Sequence, residues 1–148
     1  MRLALDTNVL AYAEGANGVL RRKSALELIA SLPAEDTFIP VQVLGELFHV
    51  LVRKAARKPE HARISILTWQ DAFAVIETSS KVLLSASDLA AEHHLSIWDS
   101  VVMAAAAATG CRLLLSEDLQ EGLTWSGVTI ANPFAAAKHE LLDDLLRP

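Results

Sequence analysis

The chain has a single cysteine among its 148 residues, no long apolar run and few aromatic side chains. With Cys111 alone, no disulfide can form within the chain, and we expect a buried, unreactive thiol there. The longest uncharged apolar stretch, residues 101–111, is much shorter than the roughly 20 residues that a membrane-spanning helix needs. We therefore expect a buried helix in this stretch and no membrane span.

The first residues do not predict a secretory signal. Only three apolar residues follow Arg2 before Asp6 interrupts them, whereas a signal peptide has an apolar segment of about 7–15 residues. We therefore expect a cytoplasmic protein. Aromatic residues make up 5% of the chain, which predicts no platform on which nucleic-acid bases would stack.

Basic charge is scarce and unevenly distributed. The net charge of −5 argues against a protein that coats nucleic acid through bulk electrostatic attraction. Five of the 13 basic residues nevertheless lie within eleven positions, namely Arg53, Lys54, Arg57, Lys58 and Arg63. They could bind phosphate groups, or they could form a solvated helix face and a helix end that the helix dipole favours.

The apolar pattern alternates short strands with helices. Hydrophobic residues make up 52% of the chain and charged residues 21%, which excludes a disordered chain and fits one domain over residues 1–148. Periodicity and turn signals predict strands at residues 2–6, 36–39, 73–77, 112–115 and 128–130. They predict helices at residues 19–32, 41–53 (apolar nearly all round), 60–71, 80–94 and 96–110, and a last helix carrying Leu141, Leu142, Leu145 and Leu146. The alternation predicts an α/β fold with a mainly parallel sheet and helices on both faces.

Four carboxylates stand at the ends of predicted elements or inside apolar segments. Asp6 ends the first strand, Glu46 lies inside helix 41–53, Asp99 lies in the first turn of helix 96–110, and Asp118 follows strand 112–115. Removing an ionised carboxylate from water costs several kcal/mol unless another group compensates it. Ligands of open parallel sheets bind beyond the carboxyl ends of the strands, so we expect the four acids to meet there.

Each acid also has a purely structural interpretation. Asp6 could be a turn residue or a helix N-cap. Asp99 stands three positions after Ser96, which is the spacing of a capping box. Asp118 could belong to an acidic first turn of a helix. Glu46 is harder to explain in this way, because its neighbours leave only a narrow solvated face.

A shared site of four acids favours a hard divalent cation. Mutual repulsion would raise the pKa values of converging carboxylates unless cations neutralise them. Oxygen ligands favour Mg²⁺ or Mn²⁺, whereas the adjacent His93 and His94 do not have the spacing of zinc ligands, and we expect surface histidines. Such an ion with open water positions is suited to phosphodiester hydrolysis.

Together these segments resemble the PIN-domain ribonucleases, particularly the VapC-type toxins of bacterial toxin–antitoxin pairs. They are D-T-N-V-L at Asp6, the mid-helix Glu46, L-S-I-W-D-S-V-V-M-A-A-A at Asp99, S-E-D-L-Q-E-G at Asp118 and the late N-P-F. The resemblance covers nearly the whole chain. It implies a PIN-like three-layer α/β/α sandwich with a mainly parallel central sheet and Mg²⁺- or Mn²⁺-dependent cleavage of RNA. It also implies homodimers and a cognate antitoxin that inserts a segment near the acidic pocket.

The resemblance further assigns roles to residues. Asp6 and Asp99 would be the principal metal ligands, and Asp118 and Glu46 would complete the site directly or through water. Polar support for the carboxylates or the phosphate would come from Thr7, Asn8 and Ser116.

Two features of this assignment stay open. Either Glu117 or Asp118 could face the metal, because the two acids are adjacent. RNA would have to approach a negative pocket, so basic residues at its rim would have to oppose the repulsion. The candidates for this rim are Arg53, Lys54 and Arg57.

Two other classes of function fit part of the pattern. In a haloacid-dehalogenase-like phosphatase, an Asp after the first strand attacks phosphorus and an acid two residues later donates a proton. Here that second position is Asn8, which cannot act as an acid. The other class is a non-catalytic interaction module, against which the presence of all four acids argues; weak or absent binding of divalent metal would favour it.

Overall fold

Six strands form one mainly parallel sheet in a computed structural model that describes residues 1–148. The strands are β1 (Leu3–Leu5), β2 (Thr37–Pro40), β3 (Ala74–Ile76), β4 (Leu113–Leu115), β5 (Thr124–Trp125) and β6 (Val128–Ala131). Their order across the sheet is β3-β2-β1-β4-β6-β5, and every neighbouring pair is parallel except β5 with β6. The fold is therefore the α/β class that the alternating pattern predicts.

Seven helices flank the sheet. They are α1 (Thr7–Ala13), α2 (Val19–Ser31), α3 (Val41–Arg53), α4 (Pro59–Ala72), α5 (Ser80–His93), α6 (Ile97–Ala108) and α7 (Glu140–Leu146). No helix combines the length and the apolar composition that crossing a membrane would require. Cys111 is a buried free thiol, and burial raises its pKa to about 11, in agreement with the expectation of an unreactive side chain.

The two central strands, β1 and β4, are buried along their whole length. Both are runs of aliphatic residues, which is typical of parallel strands covered on both faces. Leu3 pairs with Leu113 and Leu5 with Leu115. The chain passes from β1 to β2 on one side, while β4 lies on the other side of β1. The carboxyl ends of β1 and β4 therefore border the crevice in which parallel sheets bind ligands.

Most predicted elements are present, but α1 and β5 were not predicted. Helix α1 begins directly after β1, with Asp6 as its N-cap, so no turn residue separates the two elements. The prediction that Asp6 belongs to the first strand is therefore wrong, because Asp6 lies between the strand and the helix. Strand β5 has two residues, too few to show an alternating pattern.

Helix α3 has the predicted bounds but not the predicted surface. The prediction that it is apolar nearly all round is wrong. Val43, Leu44, Leu47 and Leu51 form a buried face, whereas the face of Gly45, His49 and Arg53 is exposed. The helix therefore has a core face and a face that is open to solvent, and Glu46 is half-buried between them.

Candidate active site

Asp6 links the two central strands at their carboxyl ends. Its backbone N–H donates to the carbonyl of Leu115 (3.0 Å), which continues the pairing of β1 with β4. Its Oδ1 accepts a hydrogen bond from the Thr7 N–H (2.8 Å), and its Oδ2 accepts one from Ser116 Oγ (2.7 Å). The residue is only 6% exposed. Asp6 is therefore an N-cap, as one interpretation suggested, and also a buried carboxylate at the crevice.

Asn8 connects Asp6 to the loop that follows β4. Its Nδ2 lies 3.4 Å from Asp6 Oδ2, 3.2 Å from Ser116 Oγ and 3.3 Å from Asp118 Oδ2. Its Oδ1 accepts a hydrogen bond of 3.0 Å from the Glu117 N–H. Because Asn8 is buried, this amide holds the loop and α1 together beside the acids.

Glu46 reaches the same place from α3. Its Oε2 accepts a hydrogen bond of 2.6 Å from Thr7 Oγ1, and its Oε1 accepts one of 3.2 Å from Gln42 Nε2. Both carboxylate oxygens are therefore oriented by neighbouring side chains. The first of these neighbours follows Asp6 directly, so Glu46 points inward, as the common site requires.

Asp99 lies in the first turn of α6. The Ser96 hydroxyl caps this helix and accepts a hydrogen bond of 3.1 Å from the Asp99 N–H. Burial raises the pKa of the Asp99 carboxyl, and the negative charges of Glu46 and Asp118 raise it further. The capping interpretation is thus correct for Ser96, while the Asp99 side chain lies within the field of two other acids.

The environment of Asp6 also disfavours its charged form. Burial raises the pKa of Asp6 to about 6, and the charges of Glu46 and Asp99 add to the increase. The hydrogen bonds from Ser116 and Thr7 oppose it. Repulsion among the acids therefore acts on the most buried member of the group.

No basic side chain of the chain neutralises this group. The acidic partners of the five ion pairs are Asp36, Glu117, Glu27, Glu14 and Asp144. Asp6, Glu46, Asp99 and Asp118 thus have no cationic partner within 4.0 Å. An uncompensated set of oxygen donors fits a hard divalent ion such as Mg²⁺.

The four acidic side chains do not, however, form a complete metal-binding site by themselves. No group of three or more His, Cys, Asp or Glu side chains is arranged to hold a metal ion. Mg²⁺ usually keeps several water ligands and takes only one or two carboxylates. The set therefore fits an ion bound by few carboxylates better than an ion that the protein encloses completely.

Contacts of Glu117 distinguish it from its neighbour Asp118. Glu117 Oε2 pairs with Arg21 (2.8 Å), and its Oε1 accepts a hydrogen bond of 3.0 Å from the Tyr12 hydroxyl. Burial raises the pKa of Tyr12, and the hydrogen bond to Glu117 and the negative charge of Glu117 raise it further.

Asp118 is exposed and contacts Asn8, which itself contacts Asp6. Asp118 is therefore the acid that faces the site. It lies in a loop and not in a helical first turn.

Two cavities open beside Asp118, and one of them also beside Glu46. The first, which we call the Glu46 cavity, has a volume of about 450 Å³ and is lined by Thr7, Gln42, Gly45, Glu46, His49, Val50 and Asp118. The second, which we call the Lys54 cavity, has a volume of about 290 Å³ and is lined by Thr7, Asn8, Ala11, Tyr12, Ala16, Asn17, Val50, Lys54 and Asp118. Thr7, Val50 and Asp118 line both cavities, so the two are adjacent parts of one cleft.

Sequence reasoning missed His49, Gln42 and Asn17 as lining residues. The histidines were expected at the surface, and His49 is indeed exposed. It also follows Glu46 by three positions, a spacing that puts two side chains on the same face of a helix. Gln42 precedes Glu46 by four positions and satisfies the same rule. These two residues were thus detectable, whereas no local signal identifies Asn17.

The three basic candidates have different environments. Lys54 lines a cavity of the cleft, and Arg53 is exposed in the last turn of α3. Arg57 Nη1 instead donates to Glu14 Oε2 and to Ser65 Oγ, both at 2.8 Å. Lys54 therefore lines the same cavity as Asp118, whereas Arg57 contacts other parts of the chain.

Comparison with known proteins agrees with this architecture. The model of the family described as "PIN domain" matches residues 3–120. No curated protein sequence matches the chain. Among solved structures, the Mycobacterium tuberculosis VapC20, described as a sarcin–ricin loop cleaving toxin, is similar with a TM-score of 0.66 and 21% identity. That alignment covers 78% of this chain and 89% of VapC20.

Two further solved structures are similar. Rickettsia felis VapBC2 bound to a DNA fragment from its promoter has a TM-score of 0.64 and 20% identity, over 88% of this chain and 97% of the other. Neisseria gonorrhoeae FitAcB has a TM-score of 0.61 and 20% identity, over 89% and 98%. These similarities show the fold. Because the family model matches most of its length, the chain belongs to the PIN domain family.

Proposed function

We propose that the chain is an endoribonuclease that cleaves RNA phosphodiesters with metal-activated water, and that it is the toxin of a type II toxin–antitoxin pair. The supporting observation is the convergence of four acids without a basic partner at the carboxyl edge of β1 and β4. In the proposal Asp6 and Asp99 are the main ligands of Mg²⁺ or Mn²⁺, and Glu46 and Asp118 complete the site directly or through water.

The role of the protein in this proposal is to orient carboxylates before the substrate arrives. A bound Mg²⁺ or Mn²⁺ would lower the pKa of water and stabilise negative charge on the phosphate. Ser116 and Thr7 fix the two oxygens of Asp6, and Thr7 and Gln42 fix those of Glu46. Preorganised groups of this kind need not rearrange during the reaction. With a pKa of about 6, Asp6 is mostly ionised at neutral pH and can act as a ligand.

The proposal also includes two protein partners, a cognate antitoxin and a second copy of the chain. Structures of toxin–antitoxin complexes are among those that resemble this chain, so we include a cognate antitoxin protein. We also include a homodimer, because exposed apolar side chains such as Leu84 (68% exposed) and Trp98 (57%) supply the kind of surface that an interface covers. We also propose a cytoplasmic location, because the proposed RNA substrate and antitoxin would be encountered there.

The test is cleavage of a fluorescent RNA by the purified chain with Mg²⁺, with Mn²⁺ and with a chelator. We expect cleavage only with the metals, and none from Asp6→Asn or Asp99→Asn. The matched control is Asp88→Asn, because Asp88 is an exposed residue of α5 without an ion pair. Circular dichroism would verify that each variant is folded. Cleavage by both site variants at the wild-type rate would refute the proposal.

A second candidate is a PIN-like module without catalytic activity. The observation that favours it is that no three potential ligands are arranged as a metal site. Thermal unfolding with and without Mn²⁺ separates the candidates, because a ligand that binds only the folded state raises the melting temperature. A rise for the wild type that is absent for Asp99→Asn favours the nuclease, and no rise for either favours the module.

The aspartate-nucleophile phosphatase is the weakest candidate. Asn8 occupies the position of its second acid, and its amide contacts Asp6, Ser116 and Asp118. An amide has no carboxyl proton to give to a leaving group. A phosphorylated Asp6 detected by mass spectrometry would nevertheless revive this candidate.

A further inference from the structure

We propose that the Lys54 cavity is a subsite for one nucleotide of the RNA strand, next to the phosphate that lies at the acids. The inference rests on the proposed ribonuclease function and deepens it, because it assigns a ligand to a part of the cleft outside the four acids. It concerns the cavity between α1, the loop that follows α1 and the end of α3.

The position of the cavity is the first argument. Thr7 and Asp118 line both the Lys54 cavity and the Glu46 cavity. Thr7 contacts Glu46, and Asp118 contacts Asn8. Thr7 and Asp118 therefore lie at the boundary between the two cavities, and Glu46 lines one of them. An RNA strand whose phosphate reaches this boundary can place an adjoining nucleotide in the Lys54 cavity.

The lining of the cavity is the second argument. Ala11, Ala16 and Val50 provide a small apolar surface, and such a surface accommodates the flat face of a base. Asn8 and Asn17 lie at the same cavity. The Asn17 side chain is exposed and contacts the Tyr12 hydroxyl, and the remaining hydrogen-bonding groups of its amide can contact the edge of a base.

Lys54 is the third argument. It is the only Lys or Arg that lines either cavity, and it forms no ion pair. Arg57, three positions later, is instead paired with Glu14. The ammonium group of Lys54 is therefore available to a phosphate group, and it would oppose the repulsion between RNA and the acids.

The size of the cavity limits what it can hold. Its volume of about 290 Å³ lies at the lower end of small-molecule pockets, which begin at roughly 300 Å³. A space of this size suits one nucleotide.

The experiment compares Lys54→Met with Lys58→Met in the full chain. Lys58 is an exposed residue of the same basic segment, but it lines neither cavity. A short fluorescein-labelled RNA of mixed sequence serves as the probe. Its cleavage gives kcat and KM, and its fluorescence anisotropy with Asp99→Asn as the background gives affinity without cleavage.

We expect Lys54→Met to weaken binding and raise KM by roughly tenfold, with a much smaller change in kcat, because a phosphate contact is lost. The slope of log affinity against log salt should fall by about 1. Lys58→Met should leave affinity and KM within about twofold of the wild type. Equal affinity and salt slope for the two lysine variants would overturn the proposal.

A second variant tests the space and not the charge. Ala16→Leu adds bulk to the apolar lining, so we expect weaker RNA binding with an unchanged salt slope, and circular dichroism would verify folding. If the wild type cleaves RNA and neither Lys54→Met nor Ala16→Leu affects RNA binding, the proposed subsite is wrong but the proposed ribonuclease function is supported. If the wild type does not cleave RNA, the proposed ribonuclease function is wrong.

Discussion

Thr7 Oγ1 donates a hydrogen bond of 2.6 Å to Glu46 Oε2, across 39 positions of the sequence. The bond joins the first residue of α1 to the middle of α3. Thr7 also directs its backbone N–H to Asp6. One residue therefore orients two of the four acids, with its hydroxyl serving one and its backbone the other.

This division of roles predicts the effect of Thr7→Val. The backbone bond to Asp6 remains while the hydroxyl bond to Glu46 is lost. We expect kcat/KM for RNA cleavage to fall about 10- to 100-fold, as is usual when a residue that orients a metal ligand is removed. Thr7→Ser keeps the hydroxyl and should restore most of the activity. Wild-type kcat/KM in Thr7→Val would show that the position of Glu46 does not depend on this bond.

Asp6 should make stability depend on pH. Its pKa is raised from 3.8 to about 6 in the folded protein, so between these values the folded state binds more protons than the unfolded chain. Its destabilising effect is therefore complete above pH 6 and disappears as the pH falls towards 3.8.

Asp6→Asn should accordingly stabilise the protein at neutral pH. In the absence of metal, we expect its free energy of unfolding at pH 7 to exceed that of the wild type by up to about 3 kcal/mol. The difference should shrink to nearly nothing at about pH 4. Urea unfolding at several pH values measures it, with Asp88→Asn as the exposed control. A difference that does not change with pH would contradict the raised pKa.

Ser100 should destabilise the fold. The residue is fully buried in α6, and its hydroxyl has no hydrogen-bond partner. Ser100→Ala removes the unsatisfied group, so we expect the free energy of unfolding to rise by about 1–2 kcal/mol. Ser87→Ala is the matched control for helix propensity, because Ser87 is exposed in α5. A loss of stability in Ser100→Ala would mean that the hydroxyl has a partner in solution.

Arg57 should stabilise the fold, in contrast to Arg53. Its guanidinium donates to both the carboxylate and the carbonyl of Glu14, and Trp69 Nε1 donates to the same carboxylate (2.9 Å). We expect Arg57→Met to lower the free energy of unfolding by about 1–3 kcal/mol. Arg53→Met, at an exposed site, should change it by less than about 0.5 kcal/mol.

Measuring RNA affinity on the same two variants separates stability from binding. If Arg57 acts only within the fold, a folded Arg57→Met protein binds RNA as the wild type does. A loss of affinity without a loss of stability would instead support the earlier expectation that Arg57 contacts RNA.

Local sequence signals predicted the helices and strands well where the chain marks its boundaries. Helix α3 has the predicted bounds, because Pro40 precedes it and a basic segment follows it. Helix α1 was not predicted because Asp6 alone separates it from β1 and is also its N-cap, so no turn signal marks where the helix begins. Its seven residues are also too few to show a clear helical repeat.

The acids were found because a charge inside an apolar segment is unusual, but their neighbours could not be predicted in the same way. Which of Glu117 and Asp118 faces the site depends on Arg21 and Tyr12, which lie far away in the sequence. No local pattern encodes such a pairing. The identity of the acids was thus detectable from the sequence, whereas their orientation needed the fold.

The bond from Ser116 to Asp6 spans 110 positions, and its length along the chain affects when the site can exist. A ribosome releases the N-terminal part of a protein first, so Asp6 and Glu46 emerge well before β4 is available to join β1. A nascent or truncated chain would hold only some of the carboxylates, without the hydroxyl and amide contacts that align them. In the proposed function, hydrolysis at this edge would therefore begin only after β4 has been synthesised and has joined β1.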